Sequence, residues 1–120
     1  MTNIDSTENC INQLLDHAPE LRAMYDEHIH DYNELLPHVF MGDISRFVVQ
    51  KAKLGDEDAI SLVRRILDCL EQCMESGADN VKDLISVSFV ENVVDHYEAL
   101  PALRGMIGPT LEKEFQNHRK

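Results

Sequence analysis

Basic residues are scarce in this sequence: eleven lysines and arginines stand against twenty-two aspartates and glutamates, for a formal charge of -11. Such a surface repels phosphate backbones and anionic headgroups and attracts basic proteins, which argues against direct nucleic-acid binding. Long apolar runs are missing as well. Nowhere do eighteen apolar residues follow one another, so no segment reads as a membrane span. The opening "MTNIDSTENC" has no basic stretch leading into an apolar one, and the expectation is a cytoplasmic chain. Cysteines number three, Cys10, Cys69 and Cys73. An odd, sparse set makes no disulfide framework and suits free thiols in a reducing compartment.

Signatures of catalysis are equally thin. Ser45, Ser61, Ser76, Ser86 and Ser88 lie in no Gly-x-Ser-x-Gly setting, and the glycines in "MGD", "LGD" and "SGA" form no phosphate-cradling loop. Cys69 and Cys73 have the one-turn spacing that puts two thiols on one helix face, but no Cys-x-x-Cys partner or histidine pair stands nearby. They read better as core filler beside Leu70 and Met74. The expectation is therefore a protein that is not an enzyme and uses no metal and no cofactor. No tract repeats or has low complexity.

What the chain does have is a core and helical punctuation. Apolar residues make up 43% and charged residues 28% of 120 positions, enough for one globular domain over residues 1–120 and too little for two. Asp5 and Glu8 have capping-box spacing, and Ile11, Leu14, Leu15 and Ala18 follow at helical intervals, which predicts a first helix from about Ser6 to His17. Pro19 suits the first turn of a second helix, with Leu21, Met24, Tyr25, His28, Ile29 and Tyr32 as its inward stripe. Pro37 stops that segment near Leu36 and starts a third helix to about Lys53, burying Phe40, Ile44, Phe47, Val48 and Ala52 and ending at Gly55. Asp56 caps a fourth, with Ile60, Val63, Ile66, Leu67, Leu70 and Met74 inside.

The stretch after Gly77 is ambiguous. Ile85, Val87 and Phe89 alternate with Ser86 and Ser88 as in a strand, yet Val81, Leu84, Ile85, Ser88, Phe89, Asn92 and Val93 share a helical face and no partner strand exists. Helix is the better reading, with its cap at Asp79. A short helical piece over Leu100 to Ile107 and a last helix opening at Pro109 complete an all-α, single-domain bundle of six or seven helices.

The acid is concentrated early. Residues 1–40 hold eight carboxylates and one base, Arg22, whereas the other eighty residues hold fourteen acids and ten bases. Within "DEHIHDYNELLPHVFMGDISRF", Asp26, Glu27, Asp31 and Glu34 crowd one helix and its end. An acid and base pair for hydrolysis would need a cleft that raises one carboxyl pKa, which nothing in the sequence indicates. His28 and His30 diverge by about 200° on a helix, too far apart to chelate one ion. The bland reading of these carboxylates is a solvated helix face. Their crowding favours an acidic docking face, with Asp26, Glu27, Asp31 and Glu34 steering a basic partner and Tyr25, Tyr32 or His30 anchoring it.

The segments "NELLPHVFMGDISRFVV" and "VKDLISVSFVENV", with the ending "LRGMIGPTLEKEF", resemble a family of small helical bacterial immunity proteins from polymorphic toxin systems, including contact-dependent growth inhibition. The resemblance covers residues 30–118 and rests on Leu36, Pro37, Val39, Phe40, Gly42, Asp43, Ser86, Phe89, Glu91 and Asn92. It implies that the chain neutralises a cognate secreted toxin domain, a basic nuclease being the class an acidic inhibitor suits. A helical adaptor or regulatory protein that binds a basic partner without any toxin is the alternative.

Overall fold

Ser6 opens the first helix. Its Oγ accepts a hydrogen bond from the Asn9 N–H at 3.1 Å, and α1 runs over Thr7–His17 with Cys10, Ile11, Leu14 and Leu15 buried. The computed structural model describes residues 6–97 and 100–118; Asp5, expected to be the capping residue, lies outside them. A 3-10 turn over Pro19–Leu21 leads into α2, Arg22–Tyr32. That helix ends four residues before the expected stop at Leu36. Asn33 takes the left-handed conformation (φ 61°), which asparagine tolerates, and its N–H closes on the Ile29 carbonyl at 2.7 Å. α3 spans Pro37–Leu54 and ends at Gly55 (φ 71°); α4 spans Glu57–Ser76, capped by Asp56 Oδ1 accepting from the Ala59 N–H at 2.8 Å.

The ambiguous stretch is one continuous helix, α5, over residues 79–97, whose middle widens into a π turn at Ser86–Val90. A strand would bury Val87 along with Ile85 and Phe89, but Val87 is 46% exposed while Ser88, Phe89 and Val90 are all buried. The wider turn explains this, because it lets three successive residues face inward. One expectation fails in detail: Asp79 is the first helical residue rather than the cap, the cap position being Ala78 without a side-chain bond. α6 (Pro101–Met106) and α7 (Pro109–His118) follow, each with proline in its first turn.

Among the described residues, these seven helices enclose one core, in which Phe40 of α3, Phe89 of α5 and Phe115 of α7 are fully buried. α3 packs on both α4 and the π turn of α5, α1 lies on α4, and α7 closes against α4 and α5. The radius of gyration, 13.4 Å, is what one packed domain of this length gives, about 13.5 Å. The fold is the expected all-α bundle.

One surface pair ties the α1–α2 turn to α4. Arg65 donates to both oxygens of Glu20, at 2.9 and 2.5 Å, and to the His17 carbonyl at 3.2 Å. That bidentate bond holds the Glu20 carboxyl at about 2, below its ordinary 4.5. Because the folded value is depressed, the stabilisation is complete above the unfolded value and is lost as pH falls through about 2. The pair is partly solvent-exposed, so Glu20→Gln should cost only about 0.5–1 kcal/mol in urea unfolding at neutral pH. The gap between variant and parent should close as the pH approaches 2.

Candidate functional site

The α2–α3 turn leaves these two helices facing one another across a cleft of about 340 Å³. From α2 come Met24, Glu27, His28, Asp31 and Tyr32; from α3 come Asp43, Arg46, Phe47 and Gln50. Both sets recur at three and four residues, the signature of one helix face each. Three carboxylates thus surround a single cation, and that cation, Arg46, is already bonded to Asp43 one turn away. Glu27 and Asp31 have no ion-pair partner among the described residues. The cleft is therefore an acidic recess with apolar walls at Met24, Phe47 and the Tyr32 ring.

His28 forms its inner wall. Only 3% exposed, the ring lies against Tyr32 (centroids 4.8 Å apart) and Phe40 (5.4 Å). Its Nε2 accepts the Leu36 N–H at 3.0 Å, which pins the turn entering α3. An accepting Nε2 places the proton of the neutral ring on Nδ1, and Nδ1 is buried with no partner among the described residues.

Of the seven residues expected to bind a partner, Glu27, Asp31 and Tyr32 meet in this cleft. Tyr32, placed by the sequence on the inward stripe, is 47% exposed because α2 ends there and Asn33 turns the chain away. Asp26, His30 and Glu34 are exposed but do not line the cleft. Tyr25 is half-buried, edge-on to Phe40 at 5.6 Å, and serves packing. Sequence reasoning missed the α3 half, although Asp43, Arg46 and Gln50 stand at helical spacing beside Phe47 and were there to be read as one polar flank.

Two serine–histidine contacts bracket the π turn. Ser88 Oγ lies 2.6 Å from His38 Nδ1, joining α5 to α3; Ser86 Oγ donates to Glu114 Oε1 at 2.6 Å and meets His118 Nε2 at 2.8 Å, joining α5 to α7. Nucleophile activation needs the acid behind the imidazole, on its other ring nitrogen. Here Glu114 bonds the hydroxyl itself and also approaches the same Nε2 at 3.4 Å, and no described carboxylate backs His38. These contacts act as bolts between helices.

All three cysteines are buried, with Cys10 Sγ 3.5 Å from Cys73 Sγ, so the core-filling reading extends to Cys10. Hydrogen bonding to Cys73, followed by burial, pushes the Cys10 and Cys69 thiols up. Among the described residues, no group of three or more histidine, cysteine or carboxylate side chains is placed to hold a metal ion. No described helix is long and apolar enough to cross a membrane.

A family described as a domain of unknown function (DUF7674) matches residues 11–120. No curated protein and no solved structure matches the chain.

Proposed function

This chain belongs to the DUF7674 family of domains of unknown function, and we propose that it is an immunity protein that binds and neutralises a cognate secreted toxin domain, a basic nuclease. The observation that carries the reading is the cleft in which Glu27, Asp31 and Asp43 outnumber Arg46, on a chain of formal charge -11. A toxin arginine or lysine enters between Glu27 and Asp31, its aliphatic stem against Met24 and Phe47 and its charge beside the Tyr32 ring. Asp26 and Glu34 outside the cleft add long-range attraction, which raises the association rate, while the cleft supplies the anchor. In this reading the protein transforms no substrate, needs no cofactor and works in the cytoplasm, where it occupies the surface that would otherwise grip nucleic acid.

The test is binding to the secreted-toxin domain encoded beside its gene, measured by calorimetry at low and high salt. Affinity should fall at least about tenfold across a tenfold rise in salt, as expected for an interface led by charge. Absence of binding, or binding indifferent to salt, overturns the proposal. A gene neighbourhood with no toxin would favour a helical adaptor using the same cleft.

A further inference from the structure

Across α3 from the acidic cleft lies a second groove, of about 320 Å³, and its charge is opposite. α3 contributes Ser45, Arg46, Val49, Gln50 and Lys53; α5 contributes Asn92 and His96. No carboxylate lines it, in a chain with twice as many acids as bases. Lys53 is exposed and forms no ion pair with a described residue. Gly42 is buried at the α3–α5 crossing, where a Cβ would stand 3.7 Å from Arg46 Nη1 and 3.8 Å from Asn92 Nδ2. The guanidinium and the amide thus approach one point from the two helices. Asn92 is held in place by its bond to the Ser88 carbonyl at 2.9 Å, within the π turn. The imidazole of His96, one turn further along α5, bonds to no described residue. Beneath these donors, Val49 is buried and gives an apolar floor.

We propose that this groove binds a small organic anion, a carboxylate or phosphate head carried on a short apolar body. Arg46 and Lys53 supply the charge, Asn92 and His96 supply donors, and the body rests on Val49. Its volume stands at the lower end of small-molecule sites, about 300–1,000 Å³, and the acidic surface beyond the groove repels extended polyanions. Asp43 competes for Arg46 from the far side of α3, so Lys53 is the cation the ligand engages without competition.

The proposal is tested by titrating the whole protein with benzoate, phenyl phosphate and inorganic phosphate while following the Val49 methyl and Asn92 side-chain amide signals by NMR. Benzoate or phenyl phosphate should give saturable shifts of both signals in the millimolar range or tighter, and the tighter of the two identifies the head group. Lys53→Ala, an exposed change, should weaken the tighter ligand at least about tenfold, the lower bound for one hydrogen bond to a charged group. The proposal fails if neither aromatic anion saturates, if Lys53→Ala leaves the affinity unchanged, or if inorganic phosphate binds as tightly as phenyl phosphate, which would leave the apolar body no role. Arg46 and Gln50 line both recesses, but Lys53 and His96 do not line the acidic cleft, so Lys53→Ala tests the groove without altering a residue of the proposed toxin site.

Discussion

Replacing Glu27 and Asp31 together by lysine should weaken binding of the proposed toxin partner at least about a hundredfold. The two carboxylates line the recess without an ion-pair partner among the described residues, so the cation that enters is their principal counter-charge. Losing one partner of a desolvated charged pair costs about 2–5 kcal/mol, and placing like charges in contact adds to it. A hundredfold corresponds to about 2.7 kcal/mol, which even the lower bound nearly reaches for a single position. Both side chains are exposed on α2, so stability should change by no more than about 0.5 kcal/mol per site. The control is Asp26→Lys with Glu34→Lys: the same charge change, made outside the cleft. It should slow association and reduce salt sensitivity with only a small loss of affinity. Equal losses from the two pairs would mean that a diffuse negative face, and not the recess, does the binding, and the cleft would lose its role.

How much of this was legible in the sequence follows from how local each signal is. α1, α3 and α4 could be placed because their cores recur at three and four residues and their ends carry Pro37, Gly55 and Asp56, all acting within a turn of themselves. Pro37 points to an end of α2 near Leu36, although Asn33 ends it; a proline is the stronger local signal, and the left-handed asparagine overrides it. The π turn was out of reach. Its bonds run from Ser86 to Glu114 and His118, and from Ser88 to His38, partners 28 to 50 residues away. The cleft was half readable for the same reason: its α2 carboxylates crowd together in sequence, while Asp43, Arg46 and Gln50 looked like any solvated flank until α3 was set opposite α2.

Gly108→Ala should destabilise the fold by about 1–3 kcal/mol, through a carboxylate far away in sequence. Glu71 on α4 reaches across to the start of α7, where its two oxygens accept the Thr110 N–H at 2.9 Å and the Leu111 N–H at 2.8 Å. Pro109 has no N–H, so the first donors of α7 are those two, and a negative group at a helix start is doubly favoured. A Cβ at Gly108 would stand 2.5 Å from Glu71 Cδ and 2.8 Å from Oε2. The carboxylate can swing aside at little steric cost, but then both N–H groups lose it, and hydrogen bonds to a charged group are worth about 1.5–3 kcal/mol. Burial pushes the Glu71 carboxyl up, yet the bonds from Leu111 and Thr110 outweigh it and hold it below 4.5. With a depressed folded value, the contribution is present above the unfolded value and is lost as pH falls through the folded one. The variant's deficit in urea unfolding should therefore be full at pH 7 and shrink in acid. Glu71→Gln should cost less than Gly108→Ala, and in its background Gly108→Ala should cost less than it does in the parent, since the two changes act on one contact. A Gly108→Ala protein with an unchanged urea midpoint at pH 7 would show that the carboxylate does not hold α7. Toxin binding per folded molecule should be untouched by either change, because α7 contributes nothing to the cleft.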